Sequence, residues 1–529
     1  MTLNNTNIKR FQNKFILIFG LATSLSGSIF SQVLYPESEW LEYYRVLEIK
    51  NEKIENRINI FASIINQYDR DSLSWDIWSS QIPRNKNNKY ISILPIRFAN
   101  HYNSTYARGY NDGALWKGKG LTSSLQGGLT GKYGILEFTL APIIFYSQNA
   151  DFELAPIQGN NHIYNYQFRN QRIDYVQRYG DSSFTQIDWG QTEIRAVYKN
   201  MTIGISTQNM VWGPAQRNPI IMSNNAGGFP HFDIGTHKPI NTKIGRIEAK
   251  VYYGVLNKSD YFSSDNQWNY RYWSGLNIGY NPSFLPSLYI GFNRAFYKKL
   301  DDFEASDLIV FIGKFDDTDG GANGNDEYDQ LGSLTIRWKF EKVGFETYFE
   351  YGLNDYGSKL IDTEPEHGRG YTLGFSKYID IKTNNVLKLT YEHTSVDKPK
   401  NYIYRFNNSW YSHSIVRQGY TQDGQIIGAG IGVGSTTDFF DAQYFFKKGR
   451  LNLTAQRIRF DDDYFYSNIQ TFYNHDHEWT LESKYSRFIG DYMLGIDFGV
   501  CIRENQYFIE NNNKTNIFVG LNLTRLFNQ

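Results

Sequence analysis

Residues 333–351, SLTIRWKFEKVGFETYFEY, decide the fold of this chain. Leu334, Ile336, Trp338 and Phe340 alternate with Ser, Thr, Arg and Lys, and the alternation resumes after a turn at residues 341–342. A period of two is typical of β-strands, because successive side chains point to opposite faces. The stretch therefore predicts an antiparallel hairpin with one apolar and one charged face.

The same alternation recurs along most of the chain, at residues 136–140, 194–198, 249–255, 387–391, 451–455, 479–485 and 494–500. A soluble sandwich also alternates, but it does not need so long an unbroken series of hairpins. The last strand, IFVGLNLTRLFNQ, ends with a late aromatic residue. The fold class is therefore all-β, a transmembrane antiparallel β-barrel over residues 89–529, and about 24 residues per strand and connection give about 18 strands.

Composition agrees with this fold class. The chain holds 41 Tyr, 37 Phe and 45 Gly but 13 Pro, and its mean hydropathy is -0.52. Such a composition is typical of barrels in which only every second strand residue faces lipid. The sequence contains no apolar run of the ~18 to 20 residues that a spanning helix needs.

The charge balance and the single cysteine exclude several function classes. The 54 basic residues match the 54 acidic ones, so the sequence predicts no nucleic-acid partner. Cys501 is alone, so neither an internal disulfide nor a cysteine metal cluster is possible. We expect no cofactor.

The N-terminal residues predict export. Lys9, Arg10 and Lys14 precede a short apolar run at residues 15–25, which is typical of a signal peptide spanning residues 1–31. The mature protein is then expected in the cell outer membrane, with outer-membrane lipid as a partner.

Residues 32–88 predict a small α-helical region, which would form a packed cap. Apolar residues recur there with the helical spacing in two series separated by Asn51. The first series is Trp40, Tyr43, Tyr44 and Leu47, and the second is Ile54, Ile58, Phe61 and Ile65.

Long connections carry the candidate functional residues. Residues 208–239, QNMVWGPAQRNPIIMSNNAGGFPHFDIGTHKP, are predicted to be an insertion between the strands at 194–198 and 249–255. A catalytic loop, a ligand-binding loop inside a barrel and an ordinary connection all fit this stretch. Other long connections are expected at residues 151–188, 300–330, 353–370, 394–425 and 460–475.

Three further patterns were weighed against known chemistry. The acidic loop 315–330 has the composition of a calcium loop, but counted from Asp319 its twelfth position is Gln330, where a carboxylate is required. His475 and His477 would share one face of a strand, although no third metal ligand is identifiable. No nucleophile elbow is present, so the chain is predicted not to be an enzyme. A Ser–His pair formed across strands is the alternative that an outer-membrane hydrolase would need.

Four segments together resemble the capsule-assembly family Wzi, in its Bacteroidetes form. They are NDGALWKGKG at 111–120, the Trp212-to-His231 stretch, RQGYT at 417–421 with the glycines that follow it, and the helical region ahead of the barrel. The resemblance implies an outer-membrane barrel of about 18 strands with a periplasmic helical region, residues 32–88, that helps to close it. It also implies a non-catalytic, lectin-like role in attaching or assembling capsular or other surface polysaccharide, with the polysaccharide export machinery as a further partner.

The expected polysaccharide contacts follow ordinary sugar chemistry. Aromatic rings offer apolar faces to sugar C–H groups, amides and imidazoles bond hydroxyls, and cations meet acidic groups. Packing or a membrane girdle is the alternative role for each residue. An outer-membrane porin is the alternative function. The predicted polysaccharide-binding residues are Trp116, Lys117, Lys119, Trp212, Arg217, Asn224, Asn225, His231, Arg417 and Tyr420.

Overall fold

A computed structural model of the chain describes residues 35, 38–51, 57–62, 73, 75–78, 89–262, 269–313, 328–354, 365–381, 384–403, 408–469 and 471–527. The predicted signal peptide at 1–31 lies outside the described residues, as do residues 315–327 of the acidic loop.

Strands dominate the described residues. The α-helices are α1 (Glu39–Lys50), α2 (Val310–Gly313) and α3 (Asp462–Asn468), and single 3-10 turns lie at Leu300–Asp302, Ala305–Ile309, Glu341–Val343, Lys400–Ile403, Phe472–Asn474 and Gln506–Phe508. None of the described helices is long and apolar enough to cross a membrane. The strands are β1 (Ile60–Ala62), β2 (Lys89–Ile93), β3 (Ile96–Asn103), β4 (Gly120–Gln126), β5 (Leu129–Tyr133), β6 (Leu136–Leu140), β7 (Ile143–Ser147), β8 (Phe184–Asp188), β9 (Glu193–Tyr198), β10 (Met201–Ser206), β11 (Met210–Trp212), β12 (His231–Thr236), β13 (Ile240–Thr242), β14 (Gly245–Asn257), β15 (Tyr270–Pro282), β16 (Leu288–Lys299), β17 (Tyr328–Phe340), β18 (Phe345–Asn354), β19 (Arg369–Ile381), β20 (Asn385–Ser395), β21 (Thr421–Gln422), β22 (Gln425–Ile426), β23 (Thr436–Phe446), β24 (Gly449–Arg459), β25 (His477–Ile489), β26 (Tyr492–Glu504) and β27 (Lys514–Arg525).

All strands except β1, β11, β21 and β22 form one closed antiparallel barrel, which β27 closes by pairing with β3. Five pairs of short strands each form one continuous barrel strand with an interruption: β2/β3, β4/β5, β6/β7, β8/β9 and β12/β13. Counted in this way, the described residues give 18 barrel strands. The predicted fold class and strand number are confirmed.

The connections differ sharply between the two ends of the barrel. Tight turns such as 134–135, 199–200 and 490–491 define the turn end. The N-terminus of β2 and the C-terminus of β27 lie at the same end. Longer segments, including 148–183, 207–230, 396–435 and 460–476, define the long-loop end.

The hairpin of β17 and β18 has the predicted faces. Leu334 and Trp338 point outward and are 50% and 39% exposed, whereas Arg337 points inward and is 1% exposed. The turn is longer than expected, because residues 341–343 form a 3-10 turn and Gly344 adopts a φ of 57°. A left-handed residue at this point reverses the chain without a Cβ clash. An exposed apolar belt of this kind is stable only against lipid.

Helix α1 closes the turn end. Ser38 caps it by accepting a hydrogen bond from Trp40 N at 3.3 Å, and the N–H of Asn51 bonds Leu47 O at 3.0 Å where it ends. Glu48 on the helix pairs with Arg337 of the barrel wall at 2.7 Å. The first predicted helical series, Trp40 to Leu47, therefore lies in a helix.

The second predicted helix is wrong where it is described. Residues 60–62 form β1 and pair with β11 inside the barrel. The backbone N–H groups of Asn59 and Ile60 both donate to Glu248 of the wall, at 3.2 and 3.1 Å. These lumen contacts outweigh the local helical spacing of Ile58 and Phe61.

Candidate functional site

The predicted insertion at 208–239 is shorter than expected and folds into the lumen. β12 already begins at His231 and pairs with both β10 and β14, so the connection covers only residues 207–230, here called the plug segment. Alternation in the sequence does not predict β12, because this strand carries only two large apolar residues, Phe232 and Ile234.

Two glutamates of the barrel wall hold the plug segment. Glu392 accepts hydrogen bonds from the consecutive backbone N–H groups of residues 216, 217 and 218, at 2.8, 3.1 and 2.7 Å. Glu350 accepts one from Ile220 N at 3.0 Å. Bonds from N–H groups to a buried carboxylate are among the stronger hydrogen bonds in proteins. The segment is therefore fixed across the lumen.

An apolar cluster fills the lumen around the plug segment. Trp212 and Ile220 are fully buried there, and they pack with Trp273 of the wall and with Tyr411 and Tyr420 from the loop 396–435. The Tyr411 hydroxyl donates to Ile220 O at 2.9 Å, which ties the two loops together. Apolar packing of this kind excludes water from the middle of the barrel.

Three of the predicted polysaccharide contacts are buried inside the protein. Trp212 and Tyr420 are 0% exposed, and His231 is 5% exposed with Nδ1 2.8 Å from Phe229 O. None of these rings has an open face for a sugar. They stabilise the plug instead.

The residues predicted in the 111–120 segment brace neighbouring loops. The Trp116 ring lies 4.8 Å from that of Tyr179, and its Nε1 donates to Asn149 at 3.4 Å. Lys117 pairs with Asp112 at 2.8 Å, and Lys119 donates to the backbone of Asp151 at 2.8 Å. These side chains are only partly buried, but their polar groups have partners within the protein.

Arg217, Asn224 and Asn225 join the plug segment to its surroundings. The Arg217 guanidinium stacks 3.6 Å above the Tyr110 ring. Asn224 O accepts from Gly113 N at 2.7 Å, and Asn225 Nδ2 donates to Ile426 O at 2.9 Å. The structure therefore brings these three predicted residues together in the plug, not on an open surface.

A solvent-open cavity of about 430 Å³, here called the rim pocket, lies at the long-loop end. Its volume falls within the range of about 300–1,000 Å³ that ligand sites occupy. Loops 148–183, 396–435 and 460–476 form it, and its lining includes Gln158, Arg169, Arg172, Lys398, Asn408 and Tyr464. None of these residues was predicted from the sequence, since the three loops are far apart along the chain.

Aromatic rings and amides give the rim pocket a mixed character. The ring centroids of Phe168 and Tyr464 lie 4.7 Å apart. Tyr464 lies in the first turn of α3, and Asp461 caps this helix by accepting a hydrogen bond from Tyr464 N at 3.0 Å. Asn408, together with Gln158, adds amide groups to the lining. An apolar ring beside hydrogen-bonding groups suits a sugar, which presents C–H faces and hydroxyls.

Three cations converge on the rim pocket. Arg169 pairs with Asp461, and its Nη2 lies 3.9 Å from Asp463 Oδ2. Burial lowers the pKa of Lys398; the Asp463 carboxylate opposes this shift, and the charges of Arg169 and Arg172 add to it. Burial also lowers the pKa of Arg169. Three cations therefore lie around the pocket beside the two carboxylates Asp461 and Asp463.

Arg417, a predicted contact, bonds the turn between Asn170 and Arg172, two residues that line the rim pocket. Its Nε donates to Gln171 O at 3.1 Å, and one of its Nη atoms donates to the Gln171 side chain at 3.2 Å. Arg417 thus holds the turn that precedes Arg172.

The two histidines weighed as metal ligands have separate partners. His475 Nε2 bonds Asp462 at 2.5 Å, and His477 Nε2 lies 3.3 Å from Glu504. In the part of the chain that the structure describes, no three His, Cys, Asp or Glu side chains converge as a metal site.

Comparison with known proteins identifies the family. The family model of the capsule assembly protein Wzi matches residues 95–465, more than half of the chain. The chain belongs to the Wzi family. Among solved structures, the chain is similar to Wzi of Escherichia coli, which is described as an outer-membrane, carbohydrate-binding β-barrel involved in group 1 capsule assembly. That likeness has a TM-score of 0.55 at 12% identity and covers 82% of this chain and 85% of the other.

Weaker likenesses extend to two other barrels. OccAB2 of Acinetobacter baumannii has a TM-score of 0.41 at 11% identity, covering 82% of this chain and 98% of the other. OccK8 of Pseudomonas aeruginosa has a TM-score of 0.41 at 10% identity, covering 82% and 97%. The comparison with curated proteins gave no match.

The motifs that resemble the Wzi family meet one another in the lumen. Asn111 Nδ2 of the first motif donates to Arg217 O of the second at 2.8 Å. Ser223 N of the second donates to Ile427 O, beyond the third, at 3.0 Å. In this Wzi-family chain, the motif residues therefore build the plug, and the rim pocket lies outside them.

Proposed function

We propose that this chain binds capsular or other surface polysaccharide at the exterior of the outer membrane and helps to attach or assemble it, without catalysis. Membership of the Wzi family supports the role in capsule assembly. The observation that carries the binding step is the rim pocket, an open cavity with an aromatic and amide lining. Because a polymer engages many sites at once, weak binding by each barrel is sufficient.

Orientation follows from the two ends of the barrel. Barrels of this class place short turns in the periplasm and long loops outside the cell. The long-loop end, with the rim pocket, is then extracellular, and α1 faces the periplasm. The proposal includes export by a signal peptide at 1–31, a periplasmic helical region at 32–88 and a barrel at 89–529, with the polysaccharide export machinery as a partner on the periplasmic side.

The filled lumen argues against a porin. Trp212, Ile220 and Tyr420 are fully buried across the middle of the barrel, and Glu392 holds the backbone of the plug segment. A diffusion channel needs a continuous water-filled path, which this packing interrupts. We expect no steady high conductance from the purified protein in planar bilayers.

Retention of surface polysaccharide in living cells tests the proposed function. Deleting the gene is expected to release polysaccharide into the medium, and the intact gene should restore a retained coat, measured by immunofluorescence and by quantifying shed polymer. Restoration with Tyr464→Ala should be weaker, because the substitution removes an aromatic face from the rim pocket. An unchanged coat after deletion would contradict the proposal.

Tyr466→Ala is the matched control. Tyr466 lies on the same helix, two residues further on, and is 60% exposed but outside the pocket lining. It should restore the coat fully. Equal loss with both variants would assign the effect to α3 as a whole, not to the pocket.

A further inference from the structure

The charges around the rim pocket do not balance. Asp461 and Asp463 are both committed: Asp461 pairs with Arg169 and accepts from the Tyr166 hydroxyl at 2.6 Å, and Asp463 accepts from Lys398 N at 2.7 Å. The guanidinium of Arg172 makes neither a hydrogen bond nor an ion pair within the described residues. One cation therefore remains for a ligand.

The backbone fixes Arg172 at the pocket wall. Arg172 N donates to Arg169 O at 2.9 Å, and Arg172 O accepts from His413 N at 3.0 Å. The two residues before it, Asn170 and Gln171, have φ values of 46° and 57°. Left-handed backbone at two successive non-glycine residues is costly and persists only where its surroundings impose it. Here Arg417 imposes it by bonding the Gln171 carbonyl.

The surroundings of Arg172 specify the class of ligand. A guanidinium matches the two oxygens of a carboxylate or phosphate, and the match is strongest where water is partly excluded. Asn408 and Ser409 supply neutral hydrogen-bonding groups, and Tyr464 supplies a ring. Together they fit a sugar that carries an anionic group.

We propose that the rim pocket binds an anionic sugar residue of the surface polysaccharide, with Arg172 bonding its carboxylate or phosphate. The inference rests on the proposed function and adds the chemical class of the bound residue. A neutral polymer would leave the Arg172 charge without a counter-ion and would bind more weakly.

Chemical editing of the polysaccharide tests this inference. Oligosaccharide fragments are prepared from the surface polysaccharide of the cells that make this protein, and they are used native, after carboxyl reduction or after dephosphorylation. Calorimetry on the purified full-length barrel in detergent measures each affinity. One of the treatments is expected to weaken binding by about tenfold or more, since a charged hydrogen bond is lost. The effective treatment identifies the anion as a carboxylate or a phosphate.

The outcomes separate the inference from the proposed function. If native fragments bind and neither treatment weakens binding, the anion inference is overturned while polysaccharide binding stands. If native fragments do not bind, the proposed function itself fails.

Variants of the protein provide the second arm. Arg172→Gln should lose about tenfold in affinity for native fragments and should no longer distinguish native from treated ones. Arg172→Lys retains the charge and should keep part of the preference. Lys258→Gln, at the same end of the barrel but outside the pocket lining, should behave as wild type. Heat-modifiable migration on gels confirms that each barrel is folded. A preference unchanged by Arg172→Gln would overturn the assignment of Arg172.

Discussion

The plug segment and the rim pocket use the same kinds of residue in opposite ways. Both combine aromatic rings, amides and arginine. In the plug segment these groups satisfy one another: Trp212 is buried, Arg217 stacks on Tyr110, and Asn225 bonds a backbone carbonyl. In the rim pocket, Tyr464 packs on Phe168 and accepts a hydrogen bond from Gln158, but the Arg172 guanidinium has no such partner among the described residues and lines the cavity. Residue type therefore does not identify a binding site. A binding site is identified by whether the fold gives each side chain a partner within the protein.

Removing Glu392 is expected to have the largest effect. Glu392→Ala leaves the consecutive N–H groups of residues 216–218 without their acceptor, and each buried unsatisfied group costs about 1–3 kcal/mol. The plug segment should leave the lumen, so that the barrel conducts ions in planar bilayers and unfolds at a lower temperature. Glu366→Ala, at an exposed position, should change neither property. If the Glu392→Ala barrel stayed closed and equally stable, the Glu392 hydrogen bonds would not be what holds the plug segment in the lumen.

Trp212→Ala is expected to act on stability alone. The substitution empties a large volume of the lumen core, and such truncations cost about 3–5 kcal/mol. Urea unfolding should report that loss, while saccharide affinity per folded molecule stays at the wild-type value. Trp189→Ala, which truncates a ring that is 65% exposed on the barrel, is the matched control and should cost less. Reduced affinity in folded Trp212→Ala protein would return this ring to the binding site.

The sequence is sufficient to predict the barrel because alternation is a local signal. Alternation places Leu334, Ile336 and Trp338 on one face of the strand, and in the barrel this face points outward. A one-residue slip in register would turn all three into the lumen, so the register is strongly specified. Short or interrupted strands carry too few such residues, so the sequence predicts a loop where β12 lies.

The candidate site could not be read from the sequence in the same way. The rim pocket joins Arg172, Lys398 and Tyr464 from three distant loops, so no spacing along the chain announces it. The stretch 167–172, QFRNQR, does hold two arginines and no acid, which is a weak local signal. Even so, Arg169 finds a carboxylate partner and Arg172 does not, a distinction that only the fold creates. The burial of Trp212 and Tyr420 is likewise a property of the fold that their residue types do not predict.

Substitutions of Arg417 are expected to have the smallest effect on binding. It was predicted to meet the saccharide directly, but its Nε instead donates to Gln171 O and so positions the turn before Arg172. Arg417→Lys keeps the charge but loses the planar fork that spans the Gln171 carbonyl and side chain. Affinity for anionic fragments should therefore fall only about two- to threefold, as for a partly exposed polar contact, and Arg417→Gln should fall by the same amount. If lysine restored wild-type affinity where glutamine did not, Arg417 would be a direct charge contact and the pocket would hold two ligand-binding arginines.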